Sequence, residues 1–111
     1  MDDEEWRVIP SHPNYEASSL GKVRHSRSGK VLEVKMVSNG YWRVPIMIRG
    51  RRKATPVYLL VAEAFLGPRP ERAVVNHIDG NKRHNEPANL EWITIGENVQ
   101  HAWRSGLMRK E

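Results

Sequence analysis

The chain has 111 residues, no cysteine, 39% hydrophobic residues and a formal net charge of +5. That length suits one domain, or two small modules on a shared core, and the missing cysteine excludes disulfides and thiolate metal sites, so any metal must be held by oxygen or imidazole nitrogen. No stretch approaches the ~20 apolar residues of a membrane span, and the acidic start Met1-Asp2-Asp3-Glu4-Glu5 is opposite in charge to a signal peptide, so a soluble protein of the cytoplasm, with no membrane partner, is expected.

In chain order, residues 6–20 hold Pro10, Pro13 and Asn14 among scattered apolar residues and read as irregular chain with one short strand. The next stretch is punctuated as a β-meander: Lys22 to Arg27, a Ser28-Gly29 turn, Lys30 to Val37, an Asn39-Gly40 turn, then Tyr41 to Arg49. In the last strand Trp42, Val44, Ile46 and Ile48 alternate with Tyr41, Arg43, Met47 and Arg49, which directs one face to a core and the other to solvent. Pro45 moves that strand toward a sheet edge.

The charge is concentrated here. Lys22, Arg24, Arg27, Lys30, Lys35, Arg43, Arg49, Arg51, Arg52 and Lys53 face one acid, Glu33, within 32 residues. A solvated surface is the plain alternative, but charges this one-sided repel one another unless a polyanion offsets them, so nucleic acid is the expected partner of these ten residues.

Gly50 to Lys53 reads as a hairpin tip. Thr55-Pro56 then has the form of an N-cap and first-turn pair, and Leu60, Val61, Ala64 and Phe65 fall at helical spacing before Gly67-Pro68, which predicts a helix from Pro56 to Leu66. Beyond a Pro/Arg linker come a short strand (Ala73 to Asn76), an Asp79-Gly80 turn, a polar loop to Asn89 and a returning strand (Leu90 to Ile93). Thr94-Ile95-Gly96-Glu97 has capping-box spacing for a final helix carrying Asn98, Val99, His101, Ala102 and Trp103. Trp42, Trp92 and Trp103 are expected in the core.

The run Val75-Asn76-His77-Ile78-Asp79-Gly80-Asn81-Lys82, with Asn85, Asn89-Leu90-Glu91-Trp92 and Glu97-Asn98-Val99-Gln100-His101-Ala102, resembles the HNH motif of phage and intron-type homing endonucleases. Upstream, Trp6-Arg7-Val8-Ile9, Tyr15-Glu16-Ala17-Ser18, Leu20-Gly21-Lys22-Val23-Arg24 and Asn39-Gly40-Tyr41 are similar to the β-rich DNA-binding module that often precedes it. Several spaced elements in one order make the resemblance specific, where a lone Asn-His pair would not be.

The resemblance implies an α+β protein: an N-terminal antiparallel β-meander with a helix, then a ββα-metal motif, divided as a DNA-binding module over 1–55 and a nuclease unit over 56–111. It assigns His77 as general base, Asn89 as the residue that steadies the His77 loop or ring, and Asn76 and Asn98 as ligands of a divalent ion, Mg²⁺ or Mn²⁺. Both ligands are neutral, so weak metal binding completed by the DNA phosphate is expected. Double-stranded DNA is the implied partner, cut one phosphodiester at a time to leave a 5′ phosphate, by a monomer or weak dimer. Relatives often carry a further helical DNA-reading module after this unit, whereas this sequence stops at Glu111, so modest sequence preference is expected. His101 could reach the same site or serve phosphate contact or packing; His84 reads as solvent-facing or a DNA contact. Tyr58 and Leu59 stand where relatives often show histidine and arginine, which suggests a lost contact. The rival readings are a weakly active or inactive HNH scaffold that binds DNA, supported by Asn76, and an RNA-binding module, which would not need His77, Asn89 and Asn98 in register.

Overall fold

A computed structural model describes residues 4–36 and 40–94. Eight strands and one α-helix follow in order: β1 (Trp6–Ile9), β2 (His12–Ser18), β3 (Val23–His25), β4 (Lys35–Met36), β5 (Trp42–Ile48), β6 (Arg51–Pro56), α1 (Val57–Leu66), β7 (Ala73–His77) and β8 (Leu90–Thr94), with a 3-10 turn at Pro87–Asn89 before β8. They form three antiparallel sheets, β1-β2-β3, β4-β5-β6 and β7-β8.

The stretch expected to be irregular is a hairpin. β1 pairs with β2, and the register jumps from Val8↔Glu16 to Ile9↔His12, so Pro13 falls in a bulge where no ladder bond is asked of it. The single meander is corrected to two sheets. After β3 the chain makes an isolated bridge, Arg24↔Val31, and Leu32 N donates to Val23 O. It then leaves that sheet, and Lys35–Met36 pairs instead with β5. The expected strand from Lys30 to Val37 is thus divided between two sheets.

β5 is also central where Pro45 suggested an edge. Met47 N–H points away from β6, to the Tyr15 hydroxyl at 3.1 Å. With a period of two, the Pro45 nitrogen points the same way, past the end of a β4 that reaches only Trp42 and Arg43. No ladder bond is lost. The alternation in β5 holds: Val44 and Ile46 are fully buried, Trp42 and Ile48 pack against the core, and Met47 is exposed. The hairpin tip lies earlier than expected. Arg49 and Gly50 form a two-residue turn, both at positive φ (52° and 78°), and Arg51 already pairs with Ile48.

Helix α1 begins within one residue of the expected position, but Thr55 is not its cap. Thr55 lies in β6, and its hydroxyl donates to Lys53 O. A ten-residue helix has little stability alone; this one is held by burial of Val57, Leu60, Val61 and Ala62, at ~1.5–3 kcal/mol for each large aliphatic chain. Ile9, Ala17 and Val23 from the first sheet, Val44 and Ile46 from the second and Leu90 from β8 join it in one cluster, so α1 ties the hairpin β7-β8 to the rest of the protein. Trp92 and Trp42 border that core. The helix expected after Thr94, with Asn98, His101 and Trp103, lies outside the described residues.

Candidate active site

The β7-β8 ladder pairs Ala73↔Thr94, Val75↔Trp92, Asn76↔Glu91 and His77↔Leu90. His77 therefore ends its strand on the face that carries Leu90, and both are buried. The connection is built from side chains. Asn89 Oδ1 accepts from Asp79 N (3.0 Å), Asn89 Nδ2 donates to Asp79 Oδ1 (2.9 Å) and to His84 O (2.9 Å), and Ile78 N donates to Asn89 O (2.8 Å). Asp79 Oδ1 and Asn81 Oδ1 each accept from the backbone N–H two residues on, the local bond by which such side chains form turns. His84 lies between Asp79 Oδ2 (2.7 Å) and Glu86 Oε1 (3.1 Å). Its hydrogen bond to Asp79, then that to Glu86, raises its pKa, and the bond from His84 is the largest reason that the Asp79 carboxyl falls to about 2.

Within this frame His77 Nε2 lies 2.8 Å from Asn85 Oδ1, and both residues are buried. An amide carbonyl only accepts, so Nε2 carries a proton, and the neutral tautomer compatible with this contact has its lone pair on Nδ1. The opposite wall is aromatic. Tyr58 presents an edge to the His77 ring at 5.4 Å and 71°, Tyr41 lies 6.1 Å away, and the two tyrosines are 5.1 Å apart. Lys82 Nζ stands 5.0 Å above the Tyr41 ring. Burial, then the neighbouring Tyr41, raises the Tyr58 pKa against the opposing pull of Arg43 and Arg69, so its phenol stays neutral. Asn76, consecutive in the strand, projects from the other face of the ribbon, where its Nδ2 donates to Glu91 Oε2 at 2.8 Å.

A buried histidine ending a β-strand, its tautomer set by one asparagine and its loop clamped by another, coincides with a family match. The profile described as HNH endonuclease covers residues 57–100, and that described as the NUMOD4 motif covers residues 4–46. Residues 57–100 form a domain of the HNH endonuclease family. The chain is 39% identical over 104 residues to the uncharacterized HNH endonuclease L245 of Acanthamoeba polyphaga mimivirus, covering 94% of this chain and 31% of the relative. To the DNA endonuclease I-HmuI of Bacillus phage SP01 it is 35% identical over 105 residues, covering 94% and 60%. A solved structure described as DNA binding and cleavage by the HNH homing endonuclease I-HmuI superposes with a TM-score of 0.83 at 34% identity, over 96% of this chain and 62% of that one. The chain thus spans from about a third to three fifths of the length of these relatives.

Of the residues expected at the HNH site, the structure brings His77, Asn89 and Asn76 to one hairpin, while Asn98 lies outside the described residues. Asn89 braces the loop; the ring bond belongs to Asn85. Sequence reasoning quoted Asn85 within the motif without giving it a role, and missed Glu91. Glu91 was within reach of a simple count, since pairing His77 with Leu90 sets Glu91 opposite Asn76. Tyr58, read as a lost contact, packs on the His77 ring.

The NUMOD4 segment and the hairpin after it hold the ten expected DNA contacts. Lys22, Arg27, Lys30, Lys35, Arg49, Arg51, Arg52 and Lys53 are exposed. Arg24 differs: its Nε donates to Glu16 Oε1 at 2.6 Å and its guanidinium stacks 4.1 Å from the Trp6 ring, so its charge is largely committed within the protein. Arg43 is half-buried, and with Lys35 and Arg52 it lines a groove of about 370 Å³ floored by Val44, Pro45 and Ala54.

Proposed function

We propose that this chain is a divalent-metal-dependent endonuclease of the homing-endonuclease type, which hydrolyses double-stranded DNA and nicks one strand per engagement. The observation that carries this reading is the contact of His77 Nε2 with Asn85 Oδ1, because it leaves Nδ1 as an unprotonated base on a fixed ring. Nδ1 takes a proton from water, the water oxygen bonds to phosphorus, and the bond from phosphorus to the 3′ oxygen breaks, leaving a 5′ phosphate. Asn89 holds the loop, and Tyr58 and Tyr41 limit the rotation of the ring.

The donor chemistry opposite His77 fits a hard cation. The bond from Asn76 Nδ2 to Glu91 Oε2 brings an amide and a carboxylate together, and both groups carry oxygen donors of the kind Mg²⁺ and Mn²⁺ prefer. Asn76 and Asn98 would hold the ion, with Glu91 offsetting its charge. When bound, such an ion would supply positive charge to offset the departing 3′ oxygen. Among the described residues no group of three histidine or acidic side chains could hold a metal ion.

The cationic groove and the Arg49–Lys53 tip would grip the DNA backbone, residues 1–55 serving binding and 56–111 the chemistry on a shared core. No described helix is long and apolar enough to cross a membrane, and the reading places the protein in the cytoplasm as a monomer or weak dimer. Supercoiled plasmid incubated with purified protein should yield nicked circles with Mg²⁺ and none with EDTA. Binding without nicking in either Mg²⁺ or Mn²⁺ would leave an HNH scaffold that only binds DNA.

A further inference from the structure

The loop that carries Asn85 is braced from the N-terminal half of the chain. Between β2 and β3 the backbone makes a tight turn: Gly21 N donates to Ser18 O (3.0 Å), Ser18 N donates to Lys22 O (2.8 Å), and the buried Ser18 Oγ accepts from Leu20 N (3.1 Å) and Lys22 N (3.0 Å). Gly21 has φ +82°, and a Cβ there would stand 3.2 Å from Asn85 C, 3.2 Å from Asn85 O and 3.3 Å from Asn85 Cβ. The turn is therefore pressed against the residue that accepts from His77. A cavity of about 150 Å³, lined by Gly21, Leu20, Trp42, Arg83 and Asn85 among others, lies beside the contact and gives Asn85 room to shift if pushed.

We propose that the Gly21 turn is a positioning element for catalysis: its backbone sets the place of Asn85, and through Asn85 the tautomer and orientation of His77. The kinetic consequence rests on the nuclease reading above, while the tautomer can be read without it. The module expected only to bind DNA would then also complete the catalytic loop.

Gly21→Ala is the direct test, with Gly29→Ala as its control. Gly29 also has positive φ (+75°), but nothing lies within 4 Å of a Cβ built there, so it shares the backbone strain without the contact. Imidazole ¹⁵N spectra of the full chain should show His77 in the Nε2–H form in the wild type and in Gly29→Ala, and a mixture of tautomers in Gly21→Ala. In nicking at saturating DNA, Gly21→Ala should lower kcat by up to ~10-fold, less than the ~100-fold that a misplacement of ~1 Å can cost, with KM nearly unchanged. Should Gly21→Ala fail to fold, Ser18→Ala decides, since it loosens the same turn without adding volume and should also mix the tautomers. A folded Gly21→Ala, or failing that a folded Ser18→Ala, with the wild-type tautomer overturns the inference. A tautomer that responds in a chain that never nicks overturns the nuclease reading alone.

Discussion

The His77–Asn89 loop and the basic residues from Lys22 to Lys53 treat their polar groups in opposite ways. Between His77 and Asn89 the polar side chains bond mainly to one another and to the loop backbone. Of those ten cations eight stand exposed, and among the described residues Arg24 is the one of the ten held by a carboxylate. A group that must move a proton gains from being fixed beforehand, whereas a cation that must meet a phosphate gains most if no internal partner has to be displaced. The two regions should therefore respond to different measurements.

The sharpest separation is His77→Ala. Loss of a proton-transfer residue typically lowers rate ~10²–10⁴-fold, while DNA affinity should stay near wild type because the cations are on other strands. Nicking retained at the wild-type rate would remove His77 as the base. The converse is neutralisation of Arg49, Arg51 and Arg52 to Gln. If the exposed cations meet about five phosphates, log affinity should fall with log salt at a slope of about −4 to −5, and the triple variant should flatten it by up to ~2.7, from ~0.9 per phosphate. Its kcat at saturating DNA should persist. An unchanged slope would place the DNA on another surface.

How much of this was legible in the sequence follows the same division. Helix α1 and strands β7 and β8 were found within about a residue, because apolar periodicity and the glycine and proline that follow α1 agree there. The first hairpin was missed because Pro10, Pro13 and Asn14 read as breakers; a turn and a bulge absorb the two prolines. The tip at Arg49–Gly50 was missed because arginine seldom takes positive φ. At the site, His77 and Asn89 followed from the motif, but Asn85 did not, since its role depends on a turn that returns from Gly21, 64 residues earlier. Glu91 required the strand register as well as the motif.

Glu91 also sharpens the expectation for the metal. Glu91→Gln keeps a similar shape and removes the charge beside Asn76, and loss of an outer-shell partner typically costs ~10–100-fold in metal affinity, read as the Mg²⁺ concentration for half-maximal nicking. Asn76→Asp should act in two directions. It sets a carboxylate against Glu91, which now accepts from the amide at 2.8 Å, so the variant should melt below wild type in EDTA and recover much of the difference in Mg²⁺. Melting curves of wild type and Asn76→Asp that respond equally to Mg²⁺ would show that Asn76 does not touch the metal.

The smallest effect belongs to the outer edge of the loop, where His84 bridges Asp79 and Glu86 in open solvent. Two groups there titrate in opposite senses. Asp79, lowered to about 2 mainly by its bond from His84, stabilises the fold above the ordinary carboxylate range of ~3.9 and loses that contribution as pH falls toward 2. His84, raised by the same bond and by Glu86, contributes fully below its unfolded value of ~6.5 and loses that contribution as pH rises through its folded value. The bridge is therefore strongest from about pH 4 to 6.5 and weakens on both sides. Because the groups are exposed, screening keeps the effect modest and salt-sensitive. The Tm difference between wild type and His84→Ala should be largest near pH ~5.5, and should shrink by pH ~9 and when salt is raised to ~1 M at the lower pH. A difference that stays constant from about pH 5 to 9 would mean that the ring acts by packing alone. The frame around His77 would then be held by Asn89, whose bonds with the backbone of Asp79, His84 and Ile78 do not titrate.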